Sequence, residues 1–231
     1  MRTMLNVVAS RALAAALAFP IATGAAPADG RTDAPPWVIA NGQPDAGLYM
    51  PREIQQAYAK GTRSPDGRPG PKYWQNHAEH RIRLSVSPPS RRVQGEQEIV
   101  YTNHSLEPLD KLVFRLYANV HHPLALREKP IDAKFLSEGI TVEDFSIDGK
   151  AVPWNDPANP LAANNTPGST IHAMPLATPI PPKGSVRIRM RWHYDLVADK
   201  GWKEGAIDET SYFLAYFFPR VTNYSDYNGW D

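Results

Sequence analysis

Nine consecutive residues constrain this chain more than any others. From Val186 to Tyr194, Val, Ile, Met, Trp and Tyr fill every second position, and Arg187, Arg189, Arg191 and His193 fill the positions between. A helix cannot segregate that pattern. An extended strand can, because successive side chains point to opposite faces. One face is then buried and one is wet, which is the mark of an antiparallel sheet rather than a parallel one. The alternating arginines read as a solvated strand face that discourages edge pairing, in preference to an anion or nucleic-acid contact.

The same period recurs upstream. Ile82, Leu84 and Val86 alternate with Arg81, Arg83 and Ser85, and Pro88-Pro89-Ser90 turns the chain. A second run, Val93 to Thr102, carries Gly95 where a twisted strand can bulge or bend. A third, Leu112 to Tyr117, follows a short polar connection, so three strands form a meander. Ile140 to Ile147 is the next strand, and its apolar phase shifts between Val142 and Phe145 as at a bulge. Asp148-Gly149 is a hairpin turn that returns through Ala151-Val152 to Trp154. Thr170 to Leu176 is a strand, Pro179 to Gly184 a turn, and Ser211 to Phe218 a strand apolar on both faces. The expected fold is all-β, a mostly antiparallel saddle-like or sandwich sheet domain of about eight strands beginning near Tyr73. Its expected core includes Ile82, Leu84, Ile99, Phe114, Leu116, Ile188 and Met190. Tyr73 and Trp74 are expected to pack on the sheet edge.

Composition narrows the function classes. The chain has no cysteine, which excludes disulfides, Cys-ligated zinc and thiol catalysis. A net charge of +1 supplies no field to steer nucleic acid or lipid. Residues 1–28 read as a signal peptide. Arg2 and Arg11 precede an apolar run, Ala12 to Thr23, that is too short to span a bilayer and is interrupted by Pro20. Cleavage after Ala25 or Ala28 and export to a periplasm or the exterior are expected; an uncleaved anchor is the alternative. Residues 29–72 form a Pro-rich arm, either disordered or with one short helix. Pro51 stands at its start, Glu53 in its first turn and Gly61 at its stop. Residues 73–231 are the folded domain.

The segment ending in Tyr101-Thr102-Asn103, the connection Ser105 to Leu112 and the run Phe114-Arg115-Leu116-Tyr117 resemble the opening of the N-terminal β domain of bacterial M1-family, aminopeptidase N-like zinc metallopeptidases. The Asp148-Gly149-Lys150 turn, the Pro179 to Gly184 turn and the tail from Pro219 to Asp231 continue the resemblance. It implies a non-catalytic domain that packs beside a thermolysin-like catalytic domain following Asp231. It also implies zinc as the cofactor of the full-length family and peptide substrates reached only through that partner domain.

The chemistry of the resembled family is missing from these residues. Its H-E-x-x-H motif sets two histidines on one helix face with the Glu as general base, and the motif does not occur here. His77-Ala78-Glu79-His80 has the wrong spacing for a strand, where His77 and His80 point to opposite faces. The adjacent His121 and His122 cannot share an ion from a regular element. Tyr212 to Tyr216 lack the Gln or Glu that several family members lend to a substrate amine, so no substrate-binding residue is assigned. No catalytic or metal residue is expected, and the chain alone is expected to be inactive. The site candidates are interdomain contacts, Tyr216, Phe218, Tyr227 and Trp230, in a tail whose uncovered area could reach roughly a few hundred Å². The competing reading is a free-standing β-sandwich binding module for carbohydrate or a protein partner.

Overall fold

The structure, a computed structural model, describes residues 3–7 (backbone only), 50–198 and 205–231. The chain divides into two compact units. The larger holds residues 75–198 and 205–225, residues 229–231 and the strand β1 (Thr3–Val7). Its long strands are β2 (His77–Val86), β3 (Arg92–Thr102), β4 (Leu109–Arg115), β5 (Thr141–Ile147), β7 (Ile171–Ile180) and β8 (Ser185–Asp195). Two-residue strands complete it: β6 (Lys150–Ala151), β9 (Gly205–Ala206), β10 (Tyr212–Phe213), β11 (Arg220–Val221), β12 (Tyr224–Ser225) and β13 (Gly229–Trp230).

Six strands pair in the order β1-β2-β3-β8-β5-β6, and three more in the order β11-β4-β7, all antiparallel. One core joins Leu84, Val93, Ile99, Ile188 and Trp192 of the large sheet to Leu112, Phe114, Met174 and Val221 of the small one. The all-β, antiparallel architecture expected from the alternation is therefore present, as a β-sandwich with short extra strands. Six of the seven expected core residues are buried, and Ile82 packs against them half-buried. Among the described residues no helix is long and apolar enough to cross a membrane.

Several local readings hold for the expected reason. Asp148 and Gly149 take φ of 48° and 79°, the left-handed pair that a two-residue hairpin demands. The β5–β8 register shifts between Glu143 and Ser146, with Asp144 at φ 47°, so the bulge lies where the apolar phase changed. Three readings need correction. The β2–β3 register runs unbroken past Gly95, so that glycine makes no bulge. Instead, a Cβ there would lie 2.2 Å from the Trp192 ring, and only glycine lets the indole cross the strand. Next, β8 is an interior strand, not an edge. Its arginines face carboxylates on both neighbours: Arg189 and Arg187 reach Glu98 at 2.8 and 3.5 Å, and Arg191 pairs with Asp144. Finally, Ser211–Phe218 is not a continuous strand. Only Tyr212–Phe213 pairs, with β9, and Tyr216 breaks the extension at φ 52°.

The smaller unit contains residues 50–74 and 226–228 of the described chain. Its helix α1 (Arg52–Lys60) starts after Pro51 and stops at Gly61, as the sequence signals indicate. Arg63 then closes a clamp. Its guanidinium donates to both carboxylate oxygens of Asp226 at 2.8–3.1 Å and lies between the Tyr73 and Tyr227 rings. Tyr73 thus covers Arg63 within this unit. Burial works to raise the Asp226 pKa, but hydrogen bonds from Arg63 and Thr62 outweigh it and hold the carboxyl below its usual value. The export segment from residue 8 onward and the arm as far as Tyr49 lie outside the described residues.

Candidate functional site

Two regions of the larger unit hold polar or aromatic groups in arrangements that a plain sandwich does not require. The first is the tail. Gln97 sits on the core-facing side of β3, in phase with Val93, Ile99 and Tyr101, and is 3% exposed. Its Oε1 accepts the Trp192 indole N–H at 3.0 Å. Its Nε2 donates to the Pro219 carbonyl at 2.8 Å and approaches His80 Nδ1 at 3.0 Å. One buried amide therefore ties the tail to the centre of the sheet, and each of its polar atoms is satisfied. Burial first, then the Arg220 guanidinium and His77, pushes the His80 pKa down to about 4, so this ring is neutral near pH 7.

The tail side chains divide around that anchor. Phe217 packs on Trp192, and Phe218 meets His80 edge-on with centroids 5.2 Å apart. Trp230 packs on Tyr224 and Tyr101. Tyr216 leans over Tyr117 at 4.7 Å, and Arg220 donates to the Tyr117 hydroxyl and covers the other part of that ring. Yet Tyr216 remains 58% exposed and Phe213 51%. Of the four sequence candidates, Phe218 and Trp230 are half-buried in the larger unit's own packing and Tyr216 is exposed. Tyr227 belongs to the smaller unit, over Arg63.

The second region is a cleft of about 450 Å³ beside β5, floored by Trp154 and His172 and bordered by Val142, Glu138, Asp156 and Asn165. Trp154 and His172 stack at 3.8 Å with an interplanar angle of 11°, and Phe114 and Phe145 back the indole from the core. Burial pushes the His172 pKa down to about 4, against a hydrogen bond to the Trp154 backbone that raises it. Nothing in the sequence pattern announced this cleft, because most of its lining comes from loop residues rather than periodic ones. The one available signal was the asparagine-rich stretch after Trp154.

The histidines singled out by the sequence are not brought together. His77 is exposed and lies 3.7 Å from Glu79, while His80 faces the tail. His121 is buried against the Phe135 carbonyl, and His122 accepts the Leu124 N–H at Nδ1. Among the described residues no three His, Asp or Glu side chains gather as a metal site, so they do not fit the zinc of the resembled family.

No family model matches the chain, and no curated protein matches it. Among solved structures it is similar to an M1 zinc metallopeptidase from Deinococcus radiodurans, solved as a mutant with a Tyr-Ser-Ala substrate bound. That likeness has 16% identity and a TM-score of 0.29, over 50% of this chain and 19% of that one. The matched part is thus about a fifth of the metallopeptidase's length.

Proposed function

We propose that this chain is the non-catalytic N-terminal β domain of an exported M1-like zinc metallopeptidase. Peptide hydrolysis, of aminopeptidase type, is carried by a thermolysin-like domain that follows Asp231, and zinc belongs to that domain. Three sequence segments support the reading: the Tyr101 to Tyr117 block, the Asp148-Gly149-Lys150 turn and the Pro219 to Asp231 tail. The antiparallel sandwich agrees with it. The observation that carries it is the tail's uneven burial. Gln97 fixes the backbone at Pro219, while Phe213 and Tyr216 stay half exposed on either side of Leu214 and Ala215. Exposed apolar area that is contiguous on the scale of about a few hundred Å² marks a surface meant for a partner, and these two aromatics support that reading. Tyr216 and Phe218 of the proposed contact lie in this stretch; Trp230 and Tyr227 are the other two proposed contact residues, Trp230 in the larger unit and Tyr227 in the smaller.

A free-standing binding module remains the second reading, and the cleft beside β5 is the observation that favours it. Reading the gene past Asp231 separates the two. The first requires an H-E-x-x-H motif about a hundred residues downstream, with a distal Glu as third ligand. A stop codon directly after Asp231 would replace it with the second.

A further inference from the structure

The two strands flanking the cleft have outer edges of different kinds. The edge of β7 is already occupied. Asn165 Oδ1 accepts the Ala173 N–H at 2.7 Å, and the amide nitrogens of Asn165 and Asn159 donate to the Ala173 carbonyl at 2.9 and 3.1 Å. These side chains imitate an added strand. The edge of β5 has no such cover at one residue. In an antiparallel ladder, alternate residues turn their N–H and C=O first to one neighbour and then to the other. The flanking bonds Leu196 N–H to Arg91 and Asn103 N–H to Gly184 show that even-numbered residues of β8, the neighbour of β5, bond toward β3. Odd-numbered residues therefore bond toward β5, as the Asp148 N–H to Arg187 bond confirms.

Thr141 and Glu143, opposite His193 and Arg191, accordingly turn inward, and Val142 between them turns its N–H and C=O to the cleft. Its neighbours in the same phase are satisfied: Asn119 Oδ1 takes the Ile140 N–H at 2.8 Å, and Val152 donates to the Phe145 carbonyl at 3.0 Å. Among the described residues, Val142 is the gap between them.

Charge indicates what fills it. The cleft is lined by two carboxylates, Glu138 and Asp156, and by no Lys or Arg. Of its two histidines, His172 is uncharged at neutral pH, and His122 Nδ1 is already engaged by the Leu124 N–H. An occupant that supplies a backbone donor and acceptor together with a cation matches both features.

We propose that this cleft binds an extended polypeptide segment carrying a Lys or Arg side chain, which adds to β5 through the Val142 N–H and C=O and directs its cation to Glu138 and Asp156. The proposal needs only the sandwich and is independent of the family reading. The test is a titration of the nitrogen-15-labelled chain, followed by amide resonances. The probes are the capped pentapeptide Val-Lys-Val-Lys-Val, its Gln counterpart Val-Gln-Val-Gln-Val, and lysine amide alone. The Lys peptide should shift the Val142 amide saturably and bind about fivefold tighter than the Gln peptide, the scale of an exposed ion pair. In the double variant Glu138→Gln, Asp156→Asn, whose other amides should not move, the two peptides should bind alike. No saturable shift at Val142 with millimolar peptide, or equal affinities for the two peptides in the unaltered chain, overturns the proposal. A full Val142 shift with lysine amide alone also overturns it, because the site would then take a small cation and not a strand.

Discussion

The two faces of β8 are one residue apart and obey different physics. On the inner face Ile188, Met190 and Trp192 are at most 3% exposed, and Trp192 lies across Gly95 on β3 with its N–H bonded to Gln97. On the outer face Arg187, Arg189 and Arg191 share the carboxylates of Glu98 and Asp144 in water. Strand alternation determines which residues go to which face, but not how costly a change on each will be. The inner face is limited by shape and by unsatisfied polar atoms, and the outer face by screened charge.

The largest effect is expected at the glycine. Gly95→Val puts side-chain atoms where the Trp192 ring already lies, so either the indole or the strand must move. Overpacking of this kind costs about 1–3 kcal/mol, and displacing a fully buried Trp adds to it. A denaturant midpoint equal to that of the unaltered chain would show that the inner face is looser than described.

Acid should come next. His80 and His172 both have pKa values pushed down to about 4 from the ordinary 6.5. Because the unfolded chain binds the proton more readily, their contribution is intact above about pH 6.5. It is lost as pH falls toward 4 and is level below that. Allowing for partial exposure, the two together amount to roughly 3 kcal/mol. His172→Gln should flatten part of the loss between pH 6.5 and 4; an unchanged acid profile would contradict the neutral assignment.

Gln97→Leu keeps the volume but strips the acceptor from Trp192 and the donor from Pro219. A cost of about 1–3 kcal/mol is expected for the buried groups left unsatisfied. The tail should also become more accessible, which limited proteolysis around residue 219 reports. A loss of stability with no change in tail cleavage would mean the amide serves the core alone.

The smallest effect belongs to the outer face. Glu98 is held below its ordinary pKa mainly by the Arg189 hydrogen bond, with Arg187 and Arg81 adding to it. Glu98→Gln should cost less than about 1 kcal/mol and should cost nothing measurable in 1 M salt. A loss as large as that of Gly95→Val would erase the distinction between the faces.

The long strands were legible because their periodicity is local: Ile82 to Val86, Val93 to Thr102 and Val186 to Tyr194 each sort themselves. Asp148-Gly149 and the Val142–Phe145 phase change were legible for the same reason. The stretch 211–218 was not. Its apolar residues are covered piecemeal by Trp192, His80 and Tyr117, partners more than twenty residues away, and Tyr216 turns out of the extended region. Gln97 could have been noticed as an uncharged polar residue in core phase, although its three partners could not. The cleft depends on where loop asparagines land against Ala173, which no pattern in the sequence encodes.

The central claim, that the tail's wet aromatics belong against a further domain, is tested most directly by hydrogen exchange of residues 211–218. The comparison is between this 231-residue chain and the gene product extended through the next domain. The account predicts fast exchange across 213–216 and binding of a hydrophobic dye in the short chain. Both should be suppressed in the long one, while β3 and β8 exchange alike in the two. Equal protection of 211–218 in both forms, with no dye bound by either, would mean that the tail is covered from within and would contradict the claim.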